Sequence, residues 1–229
     1  MIKSIVDTLD SITWLTESNS VVTPSPIKIT VLGLGAGSPG SALMPKQIHG
    51  ATVLSIEDAS CGKEGDAIFT TQKGVPIGVR TADCLPLLFF SNRCDFIMAV
   101  HAGWKGFTRG IITEGIQTAE HLGILPSELS VFVGPAIGRE AFEVGPEVVK
   151  AFQAQLPPEA LYLSLSKGSL DRWHIDLQVA AVLELARHGI PPTSIQVHRI
   201  CTKASFEFHS KRREQSGFGH NYAIIEMGE

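Results

Sequence analysis

Four short apolar runs between residues 66 and 102 constrain the fold of this chain more than any other feature. They read DAIFT, VPIGVR, LPLLFF and DFIMAVHA, and turn signals such as QKG and SNRC separate them. Runs this apolar are typical of strands that are covered on both faces. We therefore expect buried strands throughout this part of the chain.

After His101 the spacing of apolar residues becomes helical. It predicts an amphipathic helix over about residues 105–122, a second helix in PEVVKAFQAQL and a third in IDLQVAAVLELARHGI, which ends at Gly189. Strands come first and helices follow without regular alternation, which favours a layered α+β fold over a doubly wound sheet. No linker-like stretch divides the chain, so we expect a single domain over residues 1–229.

The charge of the chain excludes binding to nucleic acid through a basic surface. The formal net charge is −4, with 44% hydrophobic and 18% charged residues, a composition typical of an ordinary globular protein. The one basic cluster, formed by Lys211, Arg212 and Arg213, is too short to change this.

The sequence also predicts a protein without membrane segments. No apolar run approaches the roughly 18 residues of a membrane helix, and Asp7 and Asp10 interrupt the apolar N-terminus, which argues against a secretory signal. The cysteines form no C-x-x-C pairs and are expected to be free thiols or ligands. We expect a cytoplasmic monomer or homodimer.

A glycine-rich segment at residues 35–40, GAGSPG, fits the G-x-G-x-x-G pattern of dinucleotide-binding loops. Such a loop must open into a helix whose N-terminus holds the pyrophosphate. Pro39 and Pro45 stand where that helix would run. We therefore interpret the segment as a loop that binds no dinucleotide.

Three potential metal ligands lie in segments marked by glycine or proline. They are His49 in QIHG, Cys84 in TADCLP, 35 residues later, and His101 in HAGWKG, a further 17 residues on. These gaps are too long for a zinc finger and suit a catalytic zinc site with three protein ligands and an open fourth position. A cysteine with a histidine is equally consistent with a nucleophile and its base, and an interaction protein in which the three are merely packed is a third hypothesis.

Four other residues are candidates for roles near this site. Asp83 is either a turn or capping residue, a group that orients a ligand histidine, or a general base. Arg212 and Arg213 carry planar guanidinium groups that suit phosphate, and Lys105 is a further candidate for holding it. The alternative for the two arginines is a solvated pair on a surface strand.

These segments together resemble the family of multicopper polyphenol oxidase or laccase-like proteins, which includes purine nucleoside phosphorylases. The segments that carry the resemblance, in family order from about residue 47 to 213, are QIHG (47–50), GDAIFT (65–70), TADCLP (81–86), HAGWKG (101–106), GPAI (134–137), FEVG (142–145), IDL (175–177), Cys201 with Thr202, and SKRR (210–213).

The resemblance implies a fold and a cofactor. It implies a layered α/β/β/α arrangement with mixed sheets, similar to a toxin deamidase with a Cys–His site. It also implies that His49, Cys84 and His101 bind zinc.

The resemblance further implies an enzyme that phosphorolyses adenosine, inosine and methylthioadenosine and deaminates adenosine, with nucleoside and phosphate as partners. In such an enzyme we expect Cys84, His101 and Asp83 to be catalytic. From their charge, we expect Lys105, Arg212 and Arg213 to bind the substrate. The alternative is a metal-free Cys–His hydrolase or deamidase with Cys84 as nucleophile, which leaves His49 without a role.

Laccase chemistry is excluded by the ligand supply. Multicopper centres need roughly ten histidines and a cysteine, because such sites are built largely from imidazole. This chain has eight histidines and no H-x-H pair.

Overall fold

The computed structural model describes residues 2–16, 21–36 and 39–229. Its helices are α1 (Ile2–Asp10), α2 (Ile56–Ser60), α3 (Trp104–Thr108), α4 (Ile111–His121), α5 (Pro146–Gln155), α6 (Pro158–Ser164), α7 (Leu177–Arg187) and α8 (Lys211–Glu214). Its strands are β1 (Thr13–Leu15), β2 (Ile27–Leu32), β3 (Val53–Ser55), β4 (Ala67–Thr70), β5 (Ile77–Thr81), β6 (Leu85–Ser91), β7 (Ile97–Ala102), β8 (Leu129–Val133), β9 (Glu143–Val144), β10 (Leu165–Lys167), β11 (Trp173–Ile175), β12 (Ile195–His198) and β13 (Asn221–Met227). None of these helices is long and apolar enough to span a bilayer.

A seven-stranded mixed sheet has the strand order β1-β12-β8-β6-β7-β4-β3. The pairs at its two ends are parallel, whereas neighbouring strands in the order β8-β6-β7-β4 are antiparallel. Every residue of β6 and β7 is buried, which explains their apolar sequences, since both faces of this sheet are covered. The predicted α+β class with mixed sheets is confirmed.

The four apolar runs form β4, β5, β6 and β7, but β5 lies in another sheet. It belongs to an antiparallel three-stranded sheet of order β2-β13-β5. One face of this smaller sheet packs on the larger one, where Ile77, Val79 and Ile225 share a core with Leu88 and Ile97. The remaining short strands form a three-stranded sheet of order β10-β11-β9.

Helices cover the opposite face of the large sheet. A second core joins β6 and β7 to side chains such as Phe107, Ile116, Phe152 and Val182 from α3, α4, α5 and α7. Each described helix of eight or more residues packs on this side, with α1 contacting α7. The described residues therefore show an α/β/β order, and no such helix among them supplies the fourth layer of the α/β/β/α arrangement.

The helix predicted over about residues 105–122 is divided in two. Gly110 has a φ of 88°, in the left-handed region, and ends the short α3 before α4 begins. Glycine adopts this conformation without steric cost, whereas a continuing helix would need a negative φ. The prediction of one helix was wrong because periodicity alone does not register a single left-handed residue.

The glycine-rich segment at residues 35–40 is described only in part, because Gly37 and Ser38 lie outside the described residues. Turns and single bridges occupy residues 39–50, and no helix follows the segment. This agrees with its interpretation as a loop.

Candidate metal centre

Three side chains from separate parts of the chain meet beside the large sheet. The ligand atoms of His49, Cys84 and His101 all lie within 4.8 Å of one another, and within the described part of the chain they form the one group of this kind. Cys84 Sγ lies 3.8 Å from His49 Nε2. The rings of the two histidines meet edge to face at 4.8 Å between centroids.

The backbone determines where each of these side chains lies. His101 is on β7, where it pairs with Pro86 of β6, and Cys84 directly precedes β6. His49 lies in a loop with a φ of 59°, and Asp83, beside Cys84, has a φ of 86°. Both values are in the left-handed region, which is uncommon for residues other than glycine. Strand ends and turns together form the site, as the long sequence gaps predict.

Asp66 connects two of the three ligands, and the sequence analysis assigned it no role. Its Oδ1 lies 2.7 Å from His101 Nδ1 and accepts a 2.9 Å hydrogen bond from the backbone N–H of His49. Its Oδ2 accepts from the N–H groups of Ile48 and Gly50 at 3.2 and 2.6 Å. One buried carboxylate thus holds the His101 ring and the loop that carries His49. The segment GDAIFT places this acid directly before an apolar strand, but it does not by itself indicate the contact with His101.

Hydrogen bonding keeps Asp66 ionised in spite of its burial. Burial alone would raise the pKa of this carboxyl. The hydrogen bond with His101 and those from Gly50 and Ile48 outweigh this effect and hold the pKa below its usual range. Because the carboxylate accepts from His101 Nδ1–H, Nε2 is the imidazole nitrogen available to a metal ion once it has lost its proton.

Cys84 and His101 each stabilise the charged form of the other, the thiolate and the imidazolium. Burial opposes the thiolate of Cys84, but hydrogen bonds and charge from His101 and His49 lower its pKa to about 7. Burial likewise opposes a protonated His101, but the hydrogen bonds with Asp66 and Cys84 raise its pKa to about 9. A thiolate is the form of cysteine that binds metals and acts as a nucleophile.

Gly103, which has no side chain, leaves room for the side chains of Cys84 and His49. A Cβ at this residue would lie 2.9 Å from both Cys84 Sγ and His49 Cδ2, closer than real Cβ contacts allow. Arg109 supports the other side of the loop, since its Nη1 donates a 2.8 Å hydrogen bond to the carbonyl of His49. The chain therefore brings backbone and side chains unusually close around the three ligand atoms.

The donor set fits zinc. Zinc takes thiolate sulfur and imidazole nitrogen at about 2.0 to 2.3 Å, so tetrahedral ligands lie about 3.3 to 3.8 Å apart. A sulfur and a nitrogen on one tetrahedral zinc lie about 3.5 Å apart, and the 3.8 Å between Cys84 Sγ and His49 Nε2 is a few tenths of an ångström longer than this. Three protein donors leave the fourth position open, which is typical of catalytic zinc.

A cavity of about 650 Å³ opens beside the three ligands. Of the predicted substrate-binding residues, Lys105 and Arg212 line it, together with Arg109 and Lys211, which the sequence analysis did not assign. Its apolar wall consists of Ile48, Trp104, Ile137, Phe142 and Leu177. The cavity thus combines planar apolar surface with several positive charges.

Asp83 also lines the cavity, but its carboxylate is already engaged. Oδ1 accepts a 2.7 Å hydrogen bond from Thr202 Oγ1, and Oδ2 accepts one of 2.7 Å from the backbone N–H of Arg212. It does not contact His101, which Asp66 orients instead. Asp83, the residue next to Cys84, therefore holds the start of α8, which carries Lys211 and Arg212.

The structure does not bring Arg213 to the cavity. Its guanidinium donates to the carbonyls of Thr202, Lys203, Ser205 and Phe208, and also to the Glu214 carboxylate. These bonds engage it inside the C-terminal segment, which forms the helix α8 here and not a surface strand. The arrangement gives Arg213 a structural position in place of the substrate contact expected from the sequence.

We predict that replacing Arg213 lowers the stability of the protein, whereas replacing its neighbour Arg212 leaves the stability almost unchanged. Arg213→Ala is expected to lower the free energy of unfolding by about 3 kcal/mol, since it removes several charge-assisted hydrogen bonds, and hence Tm by about 6 to 12 °C. Arg212→Ala removes one 3.2 Å side-chain bond to the Glu143 carbonyl and is expected to change Tm little. Calorimetry measures both. An Arg213→Ala protein with unchanged Tm would contradict the structural role.

The sequence of this chain is similar to those of known proteins. The family described as multi-copper polyphenol oxidoreductase laccase matches residues 30–228. A purine nucleoside phosphorylase of Pseudomonas aeruginosa is 37% identical over 168 residues, covering 73% of this chain and 66% of that protein. An adenosine deaminase from an unknown prokaryotic organism is 30% identical over 194 residues, covering 80% and 74%. The chain thus spans about two thirds to three quarters of the length of these relatives.

Solved structures agree with the fold. The crystal structure of YlmD from Geobacillus stearothermophilus superposes with a TM-score of 0.77 at 29% identity, covering 82% of this chain and 74% of that one. A Neisseria meningitidis protein superposes with a TM-score of 0.74 at 26% identity, covering 99% and 80%. The mixed α+β architecture is therefore shared with these proteins.

Proposed function

Because the chain belongs to the family described as multi-copper polyphenol oxidoreductase laccase, we propose that it is a zinc-dependent purine nucleoside phosphorylase that also deaminates adenosine. Relatives named as purine nucleoside phosphorylases and an adenosine deaminase support an enzyme of this kind. The observation that carries the proposal is the convergence of three zinc-type donors at a cavity lined by four cationic side chains.

We propose adenosine, inosine and methylthioadenosine, with phosphate, as the substrates. The activity would reside in one domain over residues 1–229 of a cytoplasmic monomer or homodimer. Zinc, once bound by His49, Cys84 and His101, supplies Lewis acidity and a water of lowered pKa. Asp66 contributes by holding the Nδ1 proton of His101, which keeps Nε2 directed at the metal position.

The cationic rim of the cavity would hold the phosphate. Lys105, Arg109 and Arg212 present N–H donors to the cavity, and an ionised donor on a phosphate oxygen makes a short, strong hydrogen bond. Asp83 fixes the backbone amide of Arg212 at 2.7 Å and thereby positions the side chain that follows. We propose that Asp83 acts through this positioning and not by transferring a proton.

The apolar wall would hold the nucleoside. Trp104 and Phe142 offer planar surfaces against which a purine ring gains dispersion and stacking energy. These residues lie on the same cavity as the cationic rim and the three ligands, so base, phosphate and metal positions would be adjacent. Such proximity is what a reaction at the glycosidic carbon or at the purine ring requires.

A metal-free Cys–His hydrolase or deamidase is the second candidate. The arrangement that favours it is a carboxylate, Asp66, 2.7 Å from His101 Nδ1, with His101 in turn beside Cys84. An orienting acid, a base and a thiol are the parts of a nucleophilic triad. This reading gives His49 no role, and the likeness to a toxin deamidase that would accompany it stays a prediction.

The dependence of product on phosphate tests the leading proposal. Zinc-loaded protein is expected to convert inosine to hypoxanthine and ribose 1-phosphate only when phosphate is present, and to release ammonia from adenosine without it. Arg212→Ala is expected to raise the KM for phosphate about 10-fold while leaving ammonia release unchanged, since loss of one charge-assisted contact costs about 1.4 kcal/mol or more. Failure of the zinc-loaded protein to turn over any nucleoside would overturn the proposal.

A further inference from the structure

A second cavity, of about 950 Å³, lies on the other side of the segment 137–142, which forms part of the wall of the metal-side cavity. Ile137 and Phe142 face the metal-side cavity, whereas the intervening residues 138–141 line the second one. Ligand sites typically occupy about 300 to 1,000 Å³. The second cavity is thus large enough for a small metabolite and is distinct from the metal-side cavity.

Three cationic side chains line this cavity, and they retain hydrogen-bond donors. Arg199 binds both oxygens of Asp176 at 2.9 Å and donates to Gln178 Oε1 at 3.1 Å. Arg139 donates to the Leu163 carbonyl, and its Nε lies 3.6 Å from Asp176 Oδ2. Each guanidinium has five N–H groups, so each keeps further donors without a hydrogen-bond partner among the described residues. Lys203 Nζ has no hydrogen bond or ion pair within that part of the chain. Glu140 and Asp176 are the two acidic residues among those that line the cavity, so three positive and two negative charges leave the lining net positive.

The same cavity carries an aromatic surface. Trp14 lines it, and the guanidinium of Arg199 lies over the indole at 5.3 Å from the ring centroid. The Trp14 Nε1–H donates to the Leu9 carbonyl at 3.1 Å, which fixes the plane of the ring. Indole and guanidinium planes are surfaces on which heterocyclic rings stack. A planar surface and cationic hydrogen-bond donors without a partner among the described residues therefore occur in one cavity.

We propose that this second cavity binds a nucleotide, with the base stacked on the Arg199 guanidinium, which Trp14 supports from its other side, and the phosphate on Lys203 and Arg139. The ligand class follows from the two chemistries that the lining combines. Inorganic phosphate offers no ring for the aromatic surface, and a neutral nucleoside leaves the cationic donors unused. Binding here does not require the metal site to function, so the inference stands apart from the proposed activity.

Binding of AMP, measured by isothermal titration calorimetry, tests the proposal. Lys203→Glu is expected to weaken AMP binding at least 10-fold, and Trp14→Ala to weaken it to a similar extent. Lys150→Glu, the same charge change on the exposed side of α5, is the matched control and is expected to leave binding unchanged. Inorganic phosphate, measured by its displacement of AMP so that its binding at the metal-side cavity does not count, is expected to bind the second cavity at least 10-fold more weakly than AMP.

Other outcomes would contradict the proposal. AMP binding that is lost in Lys105→Ala and unaffected by Lys203→Glu would assign the nucleotide to the metal-side cavity. Equal affinities for AMP and inorganic phosphate in this displacement titration would show that Trp14 contributes nothing. Absence of AMP binding at millimolar concentration, with the thermal unfolding of the protein unchanged, would overturn the second site altogether.

Discussion

Replacement of Asp66 by asparagine is expected to weaken zinc binding by about 10- to 100-fold, the usual effect of losing a group that orients a metal-binding histidine. The carboxylate accepts hydrogen bonds at both oxygens, from His101 Nδ1 and from three backbone N–H groups of residues 48–50. An asparagine NH₂ group cannot accept a hydrogen bond. At one of the two oxygen positions of Asp66, this donor would therefore face the N–H donors that now bind the carboxylate. Both the His101 ring and the His49 loop would then lose their fixed positions.

A competitive chelator titration measures this affinity directly. Asp83→Asn is the matched control, because Asp83 is also a buried aspartate beside a ligand but its partners are Thr202 and Arg212. This variant is expected to keep its zinc affinity and to raise the KM for phosphate. Equal zinc affinities for Asp66→Asn and the original protein would contradict the role assigned to Asp66.

Replacement of Gly103 by alanine is expected to abolish stoichiometric zinc binding while the protein remains folded. The new methyl group would lie 2.9 Å from Cys84 Sγ and from His49 Cδ2, so one of the two ligands must move. A shift of a few tenths of an ångström is enough to spoil a tetrahedral site with bonds of about 2.0 to 2.3 Å. Metal analysis after dialysis, together with circular dichroism, measures both parts of this prediction.

Gly145→Ala provides the control for this substitution. Gly145 also precedes a helix with a negative φ and no side-chain cap, but its added Cβ would meet only the end of the flexible Glu147 side chain. This variant is expected to bind zinc like the original protein. If Gly103→Ala bound one zinc with unchanged affinity, the three side chains would not be the ligands in this geometry.

The sequence identified the candidate metal ligands better than the residues that hold them in place. His49, Cys84 and His101 could be identified because imidazole and thiolate in glycine-marked segments indicate metal chemistry by residue type alone, and the structure brings them together. Asp66 could not be identified in this way. Its role depends on a tertiary contact between β7 and a loop, which local pattern does not encode.

The same limit explains what was missed in the fold. The apolar runs correctly predicted β4 to β7, yet their assignment to two different sheets depends on pairing with β13, more than 120 residues later. Arg212 and Arg213 are identical in sequence terms, but successive residues of a helix point in different directions, so that in α8 Arg212 lines the cavity and Arg213 binds backbone carbonyls. Adjacent residues of one type can therefore have different functions.

The metal content of protein purified without a histidine tag tests the central claim most directly. We predict about one zinc per chain, lost in both Cys84→Ala and His101→Ala, with nucleoside turnover lost in parallel. Full activity in protein stripped of metal, blocked by alkylation of Cys84, would contradict the zinc account and favour the Cys–His hydrolase.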